Sequence, residues 1–204
     1  MTNPHTSPHD PELTDLSAKR GQAGDGEAYA VAYARVAPAL FAWADLRIRV
    51  PLRAHLDPED LLQEVACRAF EQFSTWDPER ASFRRWAFGI ANNVLREALR
   101  RIATHPPAAG TALASRDWAD ALPDDATSVS RAVARDELLR NFLDRLRTLD
   151  DADQRLMLYR GLEGLAHAEV AALLSLPIET VTKRWHRLRE RLRNDPSWEA
   201  LVPD

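Results

Sequence analysis

From Glu27 onward, apolar residues recur at helical intervals, with Tyr29, Val31, Tyr33, Val36, Leu40, Trp43 and Leu46 marking one long segment. Pro38 falls inside it, so a kink or a break is expected there. The run Asp57-Pro58-Glu59-Asp60 is a helix start. Asp57 offers a capping oxygen, Pro58 suits the first helical position, and the carboxylates favour the positive end of the helix dipole. That helix is expected to reach Phe73, and a loop, Ser74 to Ser82, leads into another from Phe83 to Ile102.

The pattern then changes. Residues 103–130 carry Pro106, Pro107, Gly110 and Pro123, with Asp117, Asp120, Asp124 and Asp125 against the single base Arg116. This reads as an acidic, flexible linker. Helical spacing resumes near Ser130, where Leu138, Leu139, Phe142, Leu146 and Leu149 form an apolar stripe. No segment alternates persistently as a strand would. The expected fold is therefore all-α: two small helical domains joined by the linker, the C-terminal one containing a helix-turn-helix. The expected boundaries are a tail over 1–26 with a short helix around Leu13–Arg20 and the rest partly disordered, a first domain over 27–102, a second over 131–195 and a closing tail over 196–204.

The helix-turn-helix is the most specific local signal. Ala168 to Leu174 makes a short amphipathic helix, Ser175-Leu176-Pro177 a tight break, and a longer helix runs from Ile178. With Val181 at zero on a helical wheel, Trp185, Leu188 and Leu192 fall within about 40° of it. Thr180, Lys183, Arg184, Arg187 and Arg191 share one exposed face, with Thr182 beside them. Residues 178–193 hold six bases against two acids. Such a helix fits the DNA major groove, its first turns reaching bases and its later arginines holding phosphates. The bland alternative is a solvated basic face.

Charge also divides the first domain. Asp60, Gln63, Glu64 and Glu71 gather, with Cys67, on one side of the helix that follows Pro58, a face suited to a basic helical partner. The next helix is basic, with Arg84, Arg85, Arg96, Arg100 and Arg101 against Glu97. Arg85, Asn92, Asn93, Arg96 and Arg100 share its polar side, and cations interleaved with amides suit an unstacked strand. Trp86 reads as a core residue. Trp76 is open between a base-stacking ring and a plug over the bundle, and Glu79 and Arg80 are expected to be exposed. The net charge of -4 thus conceals two basic helices.

The remaining chemistry is mostly exclusion. The single cysteine, Cys67, allows no intrachain disulfide and suits a reducing cytoplasm. Met1 to Asp10 lacks the apolar core of a signal peptide, and no run approaches the roughly 18 apolar residues of a membrane span. A cytoplasmic protein without membrane insertion is expected. The six histidines are scattered without metal-ligand spacing, and there is no phosphate-cradling glycine loop. No metal, cofactor or catalytic residue is assigned, and the chain is not expected to be an enzyme.

In order, these segments resemble the extracytoplasmic-function (ECF) group of bacterial RNA polymerase sigma factors. Asp57 to Phe70 is similar to the family's polymerase-docking helix. Phe83-x-x-Trp86 with Ile90-Ala91-x-Asn93 and Arg100-Arg101 is similar to its promoter-melting helix. Leu162-Glu163-Gly164-Leu165, Glu169-Val170-Ala171, Thr180-Val181 and Arg184-x-His186-Arg187 resemble its C-terminal helix-turn-helix.

The resemblance implies core RNA polymerase and promoter DNA as partners, with an anti-sigma factor common in the family. It implies docking through Asp60, Gln63 and Glu64. Capture of the minus-ten strand would involve Trp76, Arg80, Arg85, Asn92, Asn93, Arg96 and Arg100. Minus-thirty-five reading would involve Thr180, Thr182, Lys183, Arg184, Arg187 and Arg191. The loop 74–82 corresponds to the family's pocket for a flipped-out base. A 28-residue linker reaches roughly 30 Å as a coil and about 90 Å extended. The chain departs from the family pattern at Pro177, where a capping residue is usual, and at Ala66, where an aromatic is common. The competing reading, a helix-turn-helix regulator with an N-terminal sensing domain, explains residues 164–193 but not the docking and melting segments.

Overall fold

The computed structural model describes residues 11–22, 26–48, 50–104 and 124–202. Helix α1 (Pro11–Gln22) packs along α2 (Gly26–Arg47), and a short α3 (Val50–Arg53) leads to α4 (Pro58–Glu71) and α5 (Phe83–Thr104). The cap expected at Asp57 is present: its carboxylate accepts from the Glu59 amide at 2.7 Å. Helix α2 is continuous through Pro38, so of the kink or break expected there the break is not realised. Ala37 and Ala39 on either side are fully buried, and α2 is packed by α1, α4, α5 and α6. Packing on several sides holds the helical path past the one amide that proline removes.

Aromatic residues join these helices. The Tyr29 and Tyr33 hydroxyls donate to the α4 carbonyls of Ala66 and Leu62, at 3.2 and 3.1 Å. Tyr29, Phe73, Trp76 and Phe83 pack edge to face or stacked beneath the loop that follows α4. Helix α1 closes this end. Gln22 donates to the carbonyls of Phe73 and Trp76, and a Cβ on Gly21 would lie 2.9 Å from the Phe73 ring, so only glycine lets α1 approach so closely.

In the second half come α6 (Asp124–Arg135), α7 (Glu137–Arg147), α8 (Asp151–Leu156), α9 (His167–Leu174), α10 (Ile178–Leu192) and α11 (Trp198–Leu201). Among the described residues there is no strand, and no helix is long and apolar enough to cross a membrane. Asp136 and Asp150 cap α7 and α8. Helix α8 passes into a π turn, Met157–Leu162, which closes at Gly164 with φ +71°. The linker differs from expectation at both ends. Helix α5 runs to Thr104, and helix resumes at Asp124, not at Ser130. Helix α6 lies against α2 and α4 of the first bundle, with Ser130 buried there. The rest of the expected linker, 105–123, lies outside the described residues, as do residues 1–10 of the expected tail.

The two halves touch extensively. Helix α2 contacts α6, α7, the π turn and α11, and the buried apolar residues of both halves form one contiguous cluster.

Candidate nucleic-acid and polymerase interfaces

The helix-turn-helix forms as its sequence implies. Helix α9 ends at Ser175 in the left-handed conformation, φ 55°, and the Leu176 amide returns to the Ala171 carbonyl at 3.0 Å. This is the usual way a helix is stopped before a sharp turn. The N-terminus of α9 is closed by Glu169, which accepts from the Ala166 amide at 2.8 Å. Helix α10 begins directly after Pro177, which supplies no capping oxygen.

Val181, Trp185, Leu188 and Leu192 are buried, the stripe expected from periodicity. Trp185 packs beneath the Arg160 guanidinium and beside Gly161, whose added Cβ would stand 3.2 Å from the indole. Thr180, Thr182, Lys183 and Arg187 are exposed along α10, with the Thr182 hydroxyl donating to the Ile178 carbonyl. Arg184 differs from the rest of the face. Its guanidinium donates to Asp153 at 2.5 Å and to both Asp150 oxygens at 2.5 and 2.7 Å. The hydrogen bond to Asp153 holds its pKa above the ordinary guanidinium value. Arg191 reaches Asp153 at 3.1 Å. Arg184 and Arg191 therefore brace α8 against α10.

On α5 the expected strand-capture residues divide. Asn93, Arg96 and Arg100 line one cleft of about 170 Å³ together with Arg68, Gln72, Ile90 and Glu97. Arg96 donates to the Asn93 side chain at 2.5 Å, presenting the two as a unit. Sequence reasoning did not single out Arg68 and Gln72; their signal was the i,i+4 spacing, Arg68 four residues after Glu64 and Gln72, the C-cap of α4, four after Arg68. Arg68 bridges Glu64 at 3.0 Å and Glu97 at 2.8 Å, tying α4 to α5 across the cleft floor. The hydrogen bond from Arg68 pulls the Glu97 pKa down.

Asn92 and Arg85 stand apart from the cleft. Asn92 accepts from Arg47 at 2.9 Å, and Arg85 pairs with Glu169 of α9 at 3.2 Å. Arg80 is exposed in the loop. Trp76 requires correction as a strand-capture residue. It is 3% exposed, stacks on Phe73, and donates its indole N–H to the Ala81 carbonyl at 3.0 Å. The ring is buried against Phe73 and Phe83 and its one donor is used by the protein, so Trp76 packs as a plug under the loop.

The acidic face of α4 carries Asp60, Gln63 and Glu64, all partly exposed. Burial pushes the Asp60 pKa up, helped by the neighbouring charges of Asp57 and Glu59. Asp60 and Gln63 are not among the residues lining the cleft, whereas Glu64 bridges Arg68 of the cleft, so the acidic face of α4 borders the basic cleft.

Comparison with known proteins bears on both halves. The Sigma-70 region 2 model matches residues 32–104, and the Sigma-70, region 4 model matches residues 139–192. The chain is 28% identical over 145 residues to the ECF RNA polymerase sigma factor SigW of Bacillus subtilis, covering 67% of this chain and 74% of that one. It is 26% identical over 186 residues to the ECF RNA polymerase sigma-E factor of Haemophilus influenzae, covering 90% and 95%. The sigma-E factor of Escherichia coli is 27% identical over 140 residues, covering 68% and 73%. The chain belongs to the ECF group of the sigma-70 family. Within this sigma factor, α4 and α5 with the basic cleft lie in region 2, and α7 to α10 lie in region 4. Helices α1, α6 and α11 fall outside both matches.

Proposed function

We propose that this sigma factor docks on core RNA polymerase through Asp60, Gln63 and Glu64 and directs it to promoters by two separate DNA contacts. The exposed side of α10, with Thr180, Thr182, Lys183 and Arg187, enters the major groove of the minus-thirty-five element. The cleft between α4 and α5 receives the melted minus-ten strand. Asn93, Arg96 and Arg100 form its polar wall, joined by Arg68 of α4 and its C-cap Gln72, and Arg80, exposed in the loop 74–82, is a further contact to the strand. Phosphates are held by the guanidiniums, and amides meet base edges. No group here performs covalent chemistry: polymerase makes the bonds, and the sigma factor chooses where.

The observation that carries this reading is the pairing of a helix-turn-helix with a second basic cleft, on a bundle that also bears an acidic helix face. One surface suits duplex, one suits a single strand, and one suits a basic partner. The test is run-off transcription with core polymerase on DNA from upstream of the protein's own gene. A promoter-dependent product is expected. Absence of any complex with core polymerase would overturn the reading. In the double variant Lys183→Ala, Arg187→Ala, duplex binding should weaken while the polymerase complex persists; equal loss of both would make α10 purely structural.

A further inference from the structure

Helix α1 lies outside both matched regions, yet it meets the two ends of the segment that joins α4 to α5. At the α4 end, the Gln22 side-chain nitrogen donates to the carbonyls of Phe73 and Trp76, at 3.1 and 2.6 Å. Beside it, Gly21 is so close that an added Cβ would stand 2.9 Å from the Phe73 ring and 3.0 Å from the Tyr29 amide nitrogen. At the α5 end, Asp15 accepts from the backbone amide of Phe83 at 2.7 Å. Asp15 and Gln22 are seven residues apart, about two helical turns, so they share one face of α1. Ala18, between them, is fully buried.

Those two ends are also the margins of the strand-capture cleft. Gln72, the residue before Phe73, lines the cleft on the α4 side, and α5, which starts at Phe83, brings Asn93, Arg96 and Arg100. The segment between is braced on itself. Trp76 donates its indole N–H to the Ala81 carbonyl at 3.0 Å, and the Asp77 carboxylate accepts from the Glu79 amide at 2.9 Å. Bonds of this kind fix the shape of a loop but not its place on the bundle. The bonds from α1 fix the place, and with it the spacing between Arg80 in the loop and the guanidiniums of the cleft. A surface already in position binds a strand without the ordering cost that a loose one carries.

We propose that α1 is part of the strand-capture machinery, with Asp15, Gly21 and Gln22 as positioning residues that hold the end of α4, the loop and the start of α5 in the arrangement that receives the melted strand. They act through Phe73, Trp76 and Phe83 and not by touching DNA. The inference rests on the strand-capture role proposed above for the cleft.

The test uses holoenzyme assembled from the full chain and core polymerase. One probe is a fluorescent single strand, the non-template strand of the segment just upstream of the start site mapped by run-off transcription. The other is a duplex carrying only the minus-thirty-five half. Gln22→Met keeps the length of the side chain and loses its donor, and Gly21→Ala sets a Cβ against Phe73; neither changes the charge. Each should weaken capture of the single strand about tenfold, the factor expected if the receptive arrangement falls to about a tenth of the population. Binding of the duplex and of core polymerase should be unchanged. Leu16→Ala, on the exposed side of α1, should match the parent in all three. Measurements are made where circular dichroism shows every variant folded.

Hydrogen exchange on the chain without polymerase or DNA supplies the second readout. The Trp76 indole N–H should exchange faster in both variants, and the Trp43 indole N–H, bonded to Glu163 at 2.8 Å, should not. Strand capture equal to the parent's in both variants would overturn the proposal. So would losses of duplex and core binding as large as the loss of capture, which would make α1 a support of the whole fold. Absence of capture by the parent holoenzyme would instead overturn the role given to the cleft. The exchange measurement decides the clasp even then, since unchanged protection of the Trp76 indole in both variants would show that α1 does not hold the loop.

Discussion

Asp15 of α1 caps α5 from across the first bundle: its carboxylate accepts from the backbone amide of Phe83 at 2.7 Å, over 68 positions of sequence. Phe83 is the first residue of α5 and is fully buried, so its amide has no water to turn to. The bond couples the placement of α1 to the start of the helix that bears Asn93, Arg96 and Arg100. Replacing Asp15 by Ala is expected to lower stability by about 1 kcal/mol, the usual loss for a helix cap. Asp15→Asn, which keeps an acceptor, should lose less. Urea unfolding of the three proteins checks the order.

Much of this arrangement was legible because it is local. The Asp57 cap, the Val181–Leu192 stripe and the break at Ser175 all depend on neighbours within one or two turns. The Asp15 cap was not legible, since nothing near Asp15 or Phe83 advertises a bond spanning two-thirds of a domain. The start of α6 was missed for a different reason. Its first turns hold Asp124, Asp125, Thr127 and Ser128, residues that favour turns, and helix there is sustained by packing on α2 and α4. Of the residues expected to capture a strand, Asn93, Arg96 and Arg100 line one cleft, and the others lie elsewhere. Periodicity put Arg85, Asn92 and Asn93 on one polar side, whereas tertiary contacts with Arg47 and Glu169 drew Asn92 and Arg85 out of the cleft.

Trp76 supplies a prediction that separates packing from base recognition. Trp76→Phe keeps an aromatic plug and loses the N–H bond to Ala81, costing about 1 kcal/mol. Trp76→Ala empties the space against Phe73 and Phe83 and should cost about 3–5 kcal/mol. Capture of a single-stranded minus-ten oligonucleotide should be near the parent's in Trp76→Phe at temperatures where it is folded. A large loss of binding in a fully folded Trp76→Phe would return the ring to the DNA.

Arg184 and Lys183 are neighbours on α10 in different surroundings: Arg184 is held by Asp150 and Asp153, and Lys183 is exposed. Arg184→Ala removes the brace between Asp150, Asp153 and α10 and should cost about 1 kcal/mol, reduced from a buried pair's value by partial exposure. Lys183→Ala should change stability by less than about 0.5 kcal/mol while weakening duplex binding, and should lower the slope of log affinity against log salt by about one. Thermal melts and salt titrations of duplex binding, run on both variants, distinguish the two roles.

Acid sensitivity follows from the same carboxylates. The Asp153 backbone amide, with Arg184 beside it, holds the Asp150 pKa below its ordinary 3.8. The Ala166 amide, with Arg85, holds Glu169 below its ordinary 4.5. A carboxylate whose pKa is lower in the folded state stabilises the fold above its unfolded pKa and loses that contribution as pH falls through the folded value. Stability is therefore expected to decline as pH drops below about 4.5 and to keep declining past about 3.8, with Asp150→Asn flattening the lower part of the curve. Melting midpoints measured across that window in parent and variant provide the check.

Gly164 ends the π turn at φ +71°, a conformation that L side chains rarely adopt, although an added Cβ there would meet nothing within 4 Å. The cost of Gly164→Ala is thus purely conformational, about 1 kcal/mol, and Gly164→Asn should recover part of it because asparagine tolerates the left-handed region. The turn does more than close a helix. It sets the Leu165 amide on the Tyr159 carbonyl at 3.0 Å and leaves the Leu162 carbonyl and the Glu163 carboxylate facing region 2, where Arg84 and Trp43 meet them. A strained turn should therefore loosen the contact between the regions as well as the fold of region 4. In Gly164→Ala the protection of the Trp43 indole N–H against hydrogen exchange should fall by more than that of the Trp76 indole N–H, whose partner Ala81 lies within region 2. Equal loss at both indoles would mean that the turn acts only on global stability and has no particular part in positioning region 4 against α2.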